Sequence, residues 1–139
     1  MNEEKGDAQL IQPTGWARPR GYSNAFLAPK DARMLFVAGQ IGWDPDQKLV
    51  SPDFVPQFRQ ALANVLAIVE AAGGGPEGIC NLTIFVTDKA LYEKELPAVG
   101  SAYRDVLGKH FPAMALLEVA GLLEPGALVE IQAVAAIGS

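Results

Sequence analysis

The sequence predicts an α+β fold, a two-layer sandwich of order β-β-α-β-α-β-β with both helices on one face of a sheet. Three observations carry this. Residues 53–72 repeat apolar side chains at helical spacing. Residues 79–86 and 128–135 alternate as half-buried strands do. Only one further helical stretch, 91–107, accompanies them, and two helices cover a single face of such a sheet.

Residues 1–14 are polar and without periodicity, and are expected to form a flexible arm ahead of a single domain spanning 15–139. In Trp16-Ala-Arg-Pro-Arg-Gly-Tyr22, Pro19 and Gly21 forbid a helix while cations alternate with aromatics. Two readings stand. The rings pack on the body, or Arg18, Arg20 and Tyr22 line a pocket and offer donors to an anionic ligand. Short strands are predicted at Asn24–Leu27 and Met34–Gly39, joined by a Pro29-Lys-Asp-Ala turn. Gly39 and Gly42 then form a corner where glycine signals close approach of backbone or ligand.

Asp53 is a plausible N-cap for the first helix, Pro56 falls within its first turn, and Gly73-Gly-Gly-Pro76 ends it. Phe54, Phe58, Leu62, Val65, Leu66 and Val69 form its apolar stripe. In the strand 79–86, Cys80, Leu82, Ile84 and Val86 share one side, which makes Cys80 a packed residue rather than a reactive one. Pro97 limits the second helix and Gly108 closes it. Phe111–Ala136 is read as two apolar strands joined by a tight Leu-Glu-Pro-Gly turn, with Pro125 and Gly126 as its central residues. Val129, Ile131, Ala133 and Ala135 must face a core, which leaves Glu130 a carboxylate among aliphatic neighbours. Such a charge is costly unless water, a partner or a ligand meets it. The uncovered sheet face is too apolar to meet water alone, so it is expected to pack on other copies.

Composition narrows the function. The chain has 139 residues, half of them hydrophobic, and a net charge of −5 that leaves no basic surplus for nucleic acid. One cysteine and one histidine exclude a disulfide framework and a zinc site of the usual kind, so no metal is expected. No run approaches the roughly 18 apolar residues of a membrane span. The first 12 residues do not read as a signal peptide, so a soluble cytoplasmic protein is expected.

The stretches FVAGQIGWDP, QFRQALANVLAIVEAAG, LTIFVTD, FPAMALLEVAGL and VEIQAVA, in this order and spacing, resemble the YjgF/YER057c/UK114 group, the RidA family of enamine/imine deaminases. The similarity runs from about Tyr22 to Ile137. It implies a chorismate mutase-like fold and a homotrimer with a central barrel and small-molecule clefts between subunits. It also implies cofactor-independent hydrolysis of 2-aminoacrylate and related imines to 2-keto acids and ammonia. Tyr22 then corresponds to the family's cleft tyrosine, Gly39 to the glycine along the substrate, and Glu130 to the acid that orients water. Ala38 stands where serine is common, and Gln57 and Asn64 match positions of structural role.

Two positions depart from the pattern. The deaminases carry Pro-Ala-Arg-Ser, whose arginine grips the substrate carboxylate; here the segment is Pro112-Ala113-Met114-Ala115. Gly100 replaces a frequent asparagine. The first hypothesis is therefore a hydrolase of altered specificity, with Glu130 activating water and Met114 and Leu116 shaping an apolar pocket. In one variant Arg18 or Arg20 supplies the missing cation, and His110 shuttles protons or caps the preceding helix. The second hypothesis is a binding or sensing trimer without turnover. Ribonuclease action is disfavoured by the acidic charge and the absence of a histidine pair, and a paired role for Glu118 with Glu130 is discounted.

Overall fold

Two of the three strand pairings in the main sheet share one central strand. The computed structural model describes residues 8–138. Strands are β1 (Gln9–Ile11), β2 (Ala25–Leu27), β3 (Arg33–Ile41), β4 (Ile79–Val86), β5 (Ala113–Glu118) and β6 (Val129–Ile137). Helices are α1 (Phe54–Ala71), α2 (Lys89–Lys94) and α3 (Leu96–Leu107), with a 3-10 turn at Pro76–Gly78. The main sheet has the order β3-β6-β4-β5. β6 runs antiparallel to both neighbours, and β5 is parallel to β4. The α+β class holds, with the helices against one sheet face.

That face forms the core. Phe58, Leu62, Val65 and Val69 of α1 meet Leu82, Ile84, Val86, Val129 and Ile131 of the sheet, all buried. The predicted parity of β6 holds: Val129, Ile131, Ala133 and Ala135 are buried, while Glu130 and Val134 are half-buried and Gln132 is exposed. The uncovered face keeps exposed Met34, Phe36 and Leu117. Phe36, at 77% exposure, is the largest unmet apolar side chain of the sheet.

Three expectations are modified. The last two strands do not pair, because β3 and β4 occupy both edges of β6 and β5 joins the far side of β4. The turn between them does form: Ala127 N donates to the Glu124 carbonyl (3.1 Å) and Gly126 has φ 87°, as a Pro-Gly turn requires. Glu118 is thereby separated from Glu130 by β4, and its carboxylate instead accepts from Lys89 N (2.8 Å) at the start of α2. The second helix is two. Pro97 lacks the N–H that would continue the ladder from Glu93, so the chain breaks at Glu95. Cys80 is buried, yet it is the extra residue of a bulge that places Ile79 opposite Ala135 and Asn81 opposite Val134. Ile79, not Cys80, joins the helix-facing core. Burial raises the Cys80 thiol pKa, in keeping with an unreactive role.

The N-terminal part of the chain also differs. Residues 1–7 of the expected arm lie outside the described residues, but β1 pairs with β2 in a separate two-stranded sheet. Ser23 continues this strap onto β5, forming a parallel bridge with Ala113 and donating its N–H to the Pro112 carbonyl (3.0 Å).

Candidate functional site

Glu130 lies on β6 opposite Ile41 of β3 and Phe85 of β4. Between Val37 and Gln40, β3 carries a bulge that gives Ala38 and Gly39 a single partner position. Bulges re-aim side chains and are frequent beside active sites. Here the result is contact: the Glu130 carboxylate occupies the space where a Gly39 side chain would be, its Cδ being 2.7 Å from an ideal Cβ position. Glu130 is half-buried, and among the described residues no salt bridge or hydrogen-bond donor holds its carboxylate. A half-desolvated acid without a partner is suited to hold water or take a proton. Ala38 lies beside this pair in a shallow groove with Phe36, Asn81 and Gln132 on the uncovered face.

Gly39→Ala separates chemistry from folding. Gly39 has no positive φ, and the atoms met by the new methyl are the mobile end of Glu130. Unfolding free energy should change by less than about 1 kcal/mol, while the carboxylate moves. Any turnover should fall by about tenfold or more. Denaturant titration beside an activity assay checks both.

Met114 and Leu116 stand apart from that pair. Met114 is paired with Leu82, and both Met114 and Leu116 pack against the helix-facing core. Glu130 occupies the other side of the sheet, and β4 intervenes, a lateral distance of roughly 10 Å from strand spacing. Tyr22, exposed, borders the N-terminal end of β5 instead, in a cleft of about 600 Å³ that Arg18 also lines. Arg20 does not line it. One protomer therefore brings Gly39, Ala38 and Glu130 together, and Tyr22 and Arg18 together, but not the two groups.

Sequence reasoning missed Lys109 and Trp16, which line the same cleft, and of its two readings of His110 the helix cap is not made. His110 Nε2 donates to the Ile79 carbonyl (2.7 Å), and its own carbonyl accepts from Tyr103 Oη (2.6 Å). The ring is thus pinned to the start of β4 with Nδ1 left over. Burial drives the Tyr103 phenol pKa well up, so it remains a donor at ordinary pH.

A family model described as Endoribonuclease L-PSP matches residues 17–137. The chain is 35% identical to the fruit-fly RutC family protein UK114 over 133 residues, 94% of this chain and 91% of that protein. It is 34% identical over 118 residues to human 2-iminobutanoate/2-iminopropanoate deaminase, covering 84% and 80% of the two chains. The conserved Rid family protein YyfB of Yersinia pestis, a protein of unknown function, superposes with a TM-score of 0.82 at 27% identity, covering 94% and 99%. The chain belongs to the RidA (YjgF/YER057c/UK114) family.

Two positions of this RidA-family chain are structural. Gln57 is fully buried; its Nε2 donates to the carbonyls of Ser51 (2.9 Å) and Gly126 (3.0 Å), and its Oε1 accepts from Leu128 N (2.8 Å). Asn64 Nδ2 donates to the Ile41 (3.1 Å) and Trp43 (2.9 Å) carbonyls. Gly42 completes the corner, since a Cβ there would lie 2.5 Å from Gln57 Cα. These bonds tie α1 to the segments that carry Gly39 and Glu130. Gly100 sits within α3, with the Arg104 guanidinium beside it. No cluster of His, Cys, Asp and Glu suited to a metal occurs among the described residues, and no described helix is long and apolar enough to cross a membrane.

Proposed function

We propose that this chain is a cytoplasmic, cofactor-independent hydrolase of the enamine/imine deaminase type, acting on a small metabolite with specificity altered by Met114. The observation that carries this is the Glu130 carboxylate lodged against the Gly39 bulge. In this reading Glu130 takes a proton from water as the water oxygen bonds to the imine carbon, and returns it to nitrogen to give a carbinolamine. Glu130 then passes the hydroxyl proton of that carbinolamine to nitrogen as the C=O double bond forms and the C–N bond breaks, and a carbonyl compound and ammonia leave. The Gly39 backbone and Ala38 position the reacting group.

The site is completed by a second copy. A homotrimer that sets the β5 edge of one protomer, with Tyr22, Met114 and Leu116, against Glu130 of the next would unite groups that one chain keeps apart. The exposed Met34, Phe36 and Leu117 of the uncovered face support burial between copies. A monomer in solution would leave this reading without a cleft.

Methionine offers a carboxylate no charged grip, and losing a bidentate clamp costs a few kcal/mol. The purified protein, given 2-aminoacrylate generated in situ and then neutral and aromatic imines, should release ammonia faster from the larger substrates. Met114→Arg should raise 2-aminoacrylate hydrolysis by about tenfold or more, its long side chain reaching the edge of the core with the charge outward. The lack of a charged grip also favours a second reading, a trimer that binds a metabolite without turnover. No ammonia from any substrate with either form would favour it. The net charge of −5 and the single histidine speak against phosphodiester cleavage.

A further inference from the structure

The cleft of about 600 Å³ under the β1–β2 strap is built from segments distant in sequence: the strap itself, Trp16–Phe26 and Lys109–Phe111. Its polarity runs against that of the molecule. The chain carries 16 acidic and 11 basic residues, yet the cleft is lined by Arg18 and Lys109 and by no carboxylate. Among the described residues neither cation has an acidic partner within salt-bridge distance. A low-dielectric wall beside two unopposed cations concentrates anions.

That wall is apolar and aromatic. Trp16 and Tyr22 are exposed, and Phe26 and Phe111 border the same space. Leaving such rings to water costs about 25 cal/mol per Å². The frame around them is already fixed. Gln12 Nε2 donates to the Ala17 carbonyl (3.1 Å), Asn24 Nδ2 donates to Gln12 Oε1 (2.5 Å), and Ser23 Oγ donates to the Phe111 carbonyl (2.5 Å). Phe26 and Phe111 are each buttressed, by edge-on contact with His110 and by stacking on Tyr103. With the Gln12, Ser23 and Asn24 side chains engaged in the frame, the two cations, the Tyr22 hydroxyl and the Trp16 indole N–H are left for a ligand. The volume lies in the range of small-molecule sites.

We propose that this cleft binds aromatic monocarboxylates, the ring against Trp16 and Phe111 and the carboxylate between Arg18 and Lys109. The ligands in view are aryl 2-imino acids and their 2-keto products. The cation absent from position 114 is then supplied from the strap, beside Ala113 on which Ser23 is paired. The link to turnover rests on the hydrolase reading; binding itself does not involve Glu130. Small imino acids, lacking the ring, gain little from this cleft.

Calorimetric titration of the full chain with phenylpyruvate tests it, with pyruvate and phenylacetamide as the ring-free and charge-free controls. Phenylpyruvate should bind at least about tenfold tighter than either control. The Arg18→Gln/Lys109→Gln double variant should lose about tenfold or more, while Arg18→Lys/Lys109→Arg retains most of the affinity. Trp16→Ala should weaken phenylpyruvate and leave pyruvate unchanged. Binding without ammonia release from the matching imine would support the cleft and overturn the hydrolase reading. Imine turnover together with equal affinity for phenylpyruvate and pyruvate, or with an unaffected double glutamine variant, would overturn the cleft and leave the hydrolase standing.

Discussion

Replacing Gln57 by leucine is expected to destabilise the fold by roughly 3–5 kcal/mol. Leucine nearly matches the volume, so the effect is polar rather than a cavity. Three backbone groups that meet the buried Gln57 amide in partly buried bonds lose their partner at once: the carbonyls of Ser51 and Gly126 and the N–H of Leu128. An unsatisfied buried group costs about 1–3 kcal/mol, and neighbouring losses add incompletely because the chain relaxes. Leu128 directly precedes β6, so the loss also loosens the segment leading to Glu130. Urea unfolding should show a lower midpoint at an unchanged slope. A change below about 1 kcal/mol would mean that water or a rearranged turn satisfies those groups.

Much of this architecture was legible because short-range rules govern it. The β4 bounds, the α1 stripe and the buried parity of β6 follow from period alone, and Pro125-Gly126 gave the turn. Strand order was not legible. A Pro-Gly turn shows that the chain reverses, not that another strand enters the gap, and apolar β5 fits either edge. Order in turn decides how many strands lie between Met114 and Glu130, so their separation was hidden too. The Cys80 bulge left no mark on the residue pattern, and β1 is too short to show periodicity.

The site divides along the same line. Gly39 and Glu130 were legible singly, as a glycine in a strand and a carboxylate among aliphatics, and the β3 bulge joins them. Tyr22 and Arg18 were legible as an aromatic-cation segment that no helix could absorb. Lys109 and His110 were not, because their place depends on how the chain leaves Gly108, whose φ of 68° turns it away from α3 and toward β5.

Removing only the charge of Glu130 addresses the chemistry itself. Glu130→Gln keeps the size of the side chain against Gly39, so the protein should fold and assemble as the parent does. An amide cannot take the proton from water. The rate of ammonia release at saturating substrate should therefore fall by about 100-fold or more, with the apparent affinity for substrate within a few-fold of the parent value. The decisive measurement is that rate, for parent and variant side by side, on whichever imine the parent turns over fastest. A drop of that size with an oligomeric state unchanged from that of the parent is the expected result; a variant that keeps the parent rate would remove Glu130 from the reaction.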